Sequence, residues 1–106
     1  MDQREYVRQV LQAYCATPGT AGAARRSDRI LAARLHDRGV PLTAVENALI
    51  LAAARRSARP ADAAPLGTIR SLAYFAPAIE EVLQLKVGPE YFRYLRNKLQ
   101  RSTPTR

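Results

Sequence analysis

A chain of 106 residues makes one domain, and its 47% hydrophobic content excludes a disordered segment. With no tryptophan and much alanine, the core must be thin and built from Leu, Ile and Val. Seventeen Lys and Arg against nine Asp and Glu leave a formal net charge of +8, and fifteen of those seventeen cations are arginine.

Arginine's flat guanidinium suits bidentate contact with phosphate and stacking on bases. The charge therefore points to nucleic acid or an acidic protein partner, although a GC-rich coding sequence would give the same composition. The single cysteine, Cys15, leaves no internal disulfide and no cysteine pair for a metal. The first residues, MDQREYVRQV, carry acids and no apolar signal core, so a reducing cytoplasm is the expected setting. No apolar run approaches the roughly 18 residues that span a bilayer, and no membrane partner is expected.

The first helix is predicted over DQREYVRQVLQAYCAT, with Asp2 as cap and Val7, Val10, Leu11 and Tyr14 facing inward. TPGTAG then breaks the chain. This glycine-rich stretch lacks the Lys-Ser/Thr of a phosphate loop and reads as a connector. The second helix is expected to start at Ser27 as cap, to bury Ile30, Leu31 and Leu35, and to end at Gly39 in a left-handed turn. Pro41 makes a corner, and Thr43 with Glu46 reads as a capping box for the third helix. Val45, Ala48, Leu49 and Ala52 mark that helix's inner face, and Arg55 and Arg56 complement its C-terminal dipole.

SARPADAAPLG is a loop. A fourth helix is expected from Thr68, with Ile69, Leu72, Ala76, Ile79 and Leu83 inward and a kink or break near Tyr74 to Ala76 caused by Pro77. The fifth restarts at Gly88 and Pro89, burying Leu95 and Leu99 with Tyr91 or Phe92. No window alternates apolar and polar residues. The expected fold is all-α: a compact bundle of about five helices with a helix-turn-helix-like pair, one domain over 1–101 and a frayed tail over 102–106.

Little here suits catalysis. His36 stands alone, and the neighbouring Glu80 and Glu81 project about 100° apart on a helix, too far to share a proton. Glu80 reads as a partner for nearby cations. No catalytic residue, metal or cofactor is expected. Binding surfaces are better supplied. Arg25, Arg26 and Arg29 flank a helix N-terminus, itself favourable to anions. In EYFRYLRNKLQR, Tyr91 and Tyr94 interleave with Arg93, Arg96 and Lys98, a mixture suited to backbone contact and base stacking. In a helix-turn-helix, Asn47 would face adenine at the start of the third helix, while Glu46 would repel phosphate. Arg55, Arg56, Arg59 and Arg70 add further phosphate-contact candidates.

At LHDRGVPLTAVENALILAAARR and APLGTIRSLAYFAPAIEEVL, over roughly residues 28 to 84, the chain resembles small helical proteins encoded near bacterial transposases and mobile elements. It also resembles the C-terminal helical module of DnaD-like replication initiation proteins. That module's aromatic helix, of the form Tyr-x-x-x-Ile, implies single-stranded DNA contact, with Tyr74, Phe75 and Ile79 in the comparable stretch. The Ile-Leu-Trp ending of such modules is not present, and Pro77 interrupts the stretch. The expected function is a non-catalytic DNA-binding accessory of replication or transposition, with DNA preferred to RNA and a transposase or replication protein as neighbour. The alternative is a protein-interaction module that uses an apolar face of the fourth helix to dimerise or to dock on a larger DNA-processing enzyme.

Overall fold

The computed structural model describes residues 1–60, 62–84 and 89–102. The chain folds as α1 (Gln3–Ala16), α2 (Arg26–Asp37), α3 (Leu42–Ser57), a 3-10 turn (Leu72–Phe75), α4 (Ala76–Gln84) and α5 (Pro89–Ser102). Among the described residues there is no strand. One isolated parallel bridge, Thr20 to Ile69, ties the loop after α1 to the loop after α3. No helix of the described residues is long and apolar enough to cross a membrane. Residues 103–106, most of the expected tail, lie outside the described residues, and Ser102 still belongs to α5.

Local rules account for the first corner. The Asp2 carboxyl accepts the Glu5 N–H at 2.8 Å and caps α1 as expected. The end of α2 is closed by Gly39 at φ +78°, with Gly39 N–H bonding to His36 and Val40 N–H bonding to Leu35. This Schellman arrangement needs a left-handed residue, and glycine takes it without steric cost. Val40, buried just beyond, receives the Tyr6 hydroxyl on its carbonyl at 2.8 Å, pinning α1 to the α2–α3 turn.

Three expectations need correction. The cap of α2 is Arg25, not Ser27, because the Asp28 carboxyl reaches back to accept the Arg25 N–H at 2.8 Å. The Thr43–Glu46 capping box does not form. Pro41, in extended backbone directly after the glycine turn, starts α3 at Leu42, and Thr43 is already inside the helix. The fourth helical segment begins at Leu72 rather than Thr68, and it divides at Phe75–Ala76 into the 3-10 turn and α4, within the stretch where a break is expected. Pro77 sits in the first turn of α4, where its missing N–H is tolerated.

The core is one layer of side chains around α3. Tyr6, Val10 and Tyr14 of α1, Leu35 of α2, Val45, Ala48 and Leu49 of α3, then Leu72, Phe75 and Ile79 form its main cluster. Leu51, Phe92 and Leu95 make a smaller cluster under α5. Phe75 was not among the expected core residues, yet it is fully buried, with its ring edge-on to Tyr14 at 6.1 Å. Ile30 and Leu83, expected inside, are 44% and 40% exposed. Helix α3 packs against α1, α4, α5 and the 3-10 turn, whereas α2 packs against α1 and the 3-10 turn.

Asp28 is buried, and its two oxygens accept one backbone N–H each, from Arg25 and from Leu72 at 2.9 Å. Asp28→Ala leaves both donors without their acceptor, and urea unfolding should show a loss of about 2–4 kcal/mol. The two buried tyrosines should respond in opposite ways. Tyr6→Phe strands the Val40 carbonyl and should cost about 1 kcal/mol. The Tyr14 hydroxyl has no hydrogen-bond partner among the described residues, so Tyr14→Phe should leave stability unchanged or raise it.

Candidate nucleic-acid interface

The Asp28 bridge builds a basic corner from distant parts of the chain. By holding Leu72 N–H, it sets Arg70 beside the start of α2, where the Arg25 guanidinium donates to the Arg70 carbonyl. Arg26 and Arg29 are exposed on the first turn of the same helix, and Arg70 is exposed on the segment whose backbone the Arg25 side chain reaches. None of these three side chains has an acidic partner among the described residues. Four arginines thus share one corner, at the helix end where the backbone N–H groups favour anions.

Elsewhere the acids neutralise arginines. Glu5 pairs with Arg8, Glu80 with Arg38 and Glu81 with Arg55. Both oxygens of Glu80 receive the Arg38 fork, at 2.8 and 3.1 Å, so Glu80 partners a cation as expected. Arg8 holds the Glu5 carboxyl down to about 2, and Arg38 and Arg55 lower Glu80 and Glu81 in the same way. These groups stabilise the fold above their ordinary 4.5, and the contribution is lost as pH falls through the lowered values. All three pairs are at the surface, so each contributes little. Their larger effect is on where positive charge remains.

Arg56 is engaged differently. Its guanidinium lies 5.7 Å from the Tyr74 ring centre and donates to the Gly67 carbonyl at 3.0 Å. A Cβ at Gly19, which has φ +92°, would come within 3.2 Å of the Arg56 Nε. Arg56 therefore clasps the two loops together, and with Arg59 and Leu66 it lines a groove of about 330 Å³.

The mixed surface expected on α5 separates in three dimensions. Phe92 and Leu95 are buried, which at about 100° per residue sends Tyr91, Tyr94 and Lys98 to one flank and Arg93 and Arg96 to the other. The tyrosines are 46% and 58% exposed. Tyr91 and Lys98 line an apolar groove of about 190 Å³ with Leu51, Ala54, Leu95 and Leu99. Arg96 faces a cleft that also contains Glu46. Helix α5 packs on α3, whereas the basic corner is built on α2 and the segment before the 3-10 turn.

The helix-turn-helix-like pair exists in connectivity, but α3 packs against four other elements, and Asn47 is half-buried. Phe75 and Ile79, in the stretch that resembles a DNA-engaging aromatic helix, are core residues; only Tyr74 reaches solvent. His36 packs against the Tyr6 ring at 5.2 Å, and no group of three or more His, Cys, Asp or Glu among the described residues could hold a metal ion. No family model, curated protein or solved structure matches this chain.

Glu81→Gln should free Arg55 without disturbing the core, and retention on a heparin column should then rise while the melting temperature barely moves. Unchanged retention would place Arg55 outside the anion-binding surface.

Proposed function

We propose that the protein is a non-catalytic nucleic-acid-binding accessory, suited to replication or transposition, that grips phosphate through Arg26, Arg29 and Arg70. The observation that carries this reading is the basic corner. Exposed arginines without acidic partners among the described residues stand at a helix N-terminus and on a segment 45 residues away that the Arg25–Arg70 hydrogen bond joins to it. Guanidinium groups hold phosphate bidentately, and release of condensed counterions supplies the driving force. DNA is the preferred form, and Arg93 of α5 provides a separate weaker contact.

The groove between α3 and α5 favours a second reading. Its floor of Leu51, Ala54, Leu95 and Leu99, with Tyr91 at the rim, suits a protein side chain rather than a phosphate. A second copy of the chain or a larger DNA-processing enzyme would dock there.

Gel-shift titrations over a range of salt separate the two. Replacing Arg26, Arg29 and Arg70 by alanine should weaken binding to every sequence alike and reduce the log–log salt slope by about one unit per arginine. Replacing Arg93 and Arg96 should reduce it less. Absence of binding even at low salt would move the assignment to the docking reading.

A further inference from the structure

We infer that the outward face of α2 is a duplex-reading surface, which enters the major groove of B-form DNA with Ile30 against thymine methyl groups. This rests on the nucleic-acid reading above and adds the form of the ligand and the element that reads it.

Helix α2 buries one edge, Asp28, Ala32 and Leu35, against α1 and the 3-10 turn. At about 100° per residue, Arg26 and Ile30 lie opposite that edge, with Arg29 and Arg34 on either side of them. All four are exposed, and the three arginines have no ion-pair partner among the described residues. The acid on this side, Asp37, is at the far end of the helix and accepts a hydrogen bond from Gln3 at 2.9 Å. Ile30, 44% exposed, is thus a branched apolar side chain at the centre of a strongly basic helix face.

Each feature selects one occupant. The positive face needs a polyanion. A helix about 10–12 Å across fits the major groove, about 12 Å wide, whereas the deep, narrow groove of A-form RNA does not admit it. Binding of single strands depends on aromatic platforms, and the ring on α2, His36, is packed against Tyr6. The exposed tyrosines belong to the 3-10 turn and α5. In the major groove an apolar side chain meets the thymine methyl group, and Arg34, one turn beyond Ile30, has guanine within its repertoire. Arg26, Arg29 and Arg70 at the helix start then grip the flanking phosphates. Helix α2 therefore takes the role that a helix-turn-helix gives to its second helix, which here is enclosed as α3.

The test uses the whole chain and a pool of random-sequence DNA duplexes. Selection should enrich a site, and anisotropy titration should show that duplex bound at least about tenfold tighter than its separated strands or the matching RNA duplex at equal salt. Substituting deoxyuridine for thymidine removes only the methyl group. It should weaken the native protein about fourfold, the value of one buried methyl, and leave Ile30→Ala unaffected. Because Ile30 is at the surface, that variant should keep the native melting temperature. Salt-dependent binding of single strands and duplexes with equal affinity, or a pool without enrichment, would overturn the groove assignment while leaving phosphate contact standing. Insensitivity of the native protein to deoxyuridine would remove Ile30 from the readout. Failure to bind any nucleic acid at low salt would remove both readings.

Discussion

The Asp28 carboxyl joins the two halves of this molecule. A buried carboxyl is tolerated only where its oxygens find donors, and each oxygen of Asp28 finds a backbone N–H, one at the entrance to α2 and one at Leu72. The second bond anchors the 3-10 turn that delivers Leu72 and Phe75 to the core. The same contact brings Arg70 beside Arg25, so packing and surface charge are set by one side chain. A change there cannot alter the interior without also dispersing the basic corner.

Electrostatic asymmetry follows from where the acids stand. Glu80 and Glu81 on α4 and Glu5 on α1 each hold an arginine, whereas the exposed face of α2 has no acid before Asp37. The net charge of +8 is therefore unevenly distributed, and among the described residues Arg26, Arg29 and Arg34 on the outward side of α2 carry no ion pair. Adjacency on a helix explains the division between Glu80 and Glu81. Projecting about 100° apart, they reach Arg38 after α2 and Arg55 in α3, and so brace α4 from two directions.

Features that depend on neighbours in sequence were legible without coordinates: the all-α class, the Asp2 cap, the Gly39 corner and the break at TPGTAG. Features set by distant partners were not. Asp28 lies in a run of arginines and reads as a solvated acid, because its partner Leu72 is 44 residues away. Ser27 and Thr43 have cap chemistry, but the backbone had already entered the helix before each of them. Helical spacing alone points Ile30 inward, but Ala32 and Asp28 occupy the edge that packs. The separation of tyrosines from arginines on α5 was available from spacing, once Phe92 rather than Tyr91 is taken as the anchor. The basic corner had a partial signal in Arg25, Arg26 and Arg29, with nothing local to join Arg70 to them.

Helix α3 has a consequence for how the chain reaches its native state. It is apolar nearly all round and enclosed by α1, α4, α5 and the 3-10 turn. During synthesis α1 and α2 emerge first and cover only part of it, and the surfaces that complete its burial come from the last third of the chain. Until α5 arrives, Leu51 lacks the Phe92 and Leu95 side chains that bury it. Helix α3 therefore presents an exposed apolar surface until α4 and α5 are in place, and closing the bundle depends on their arrival.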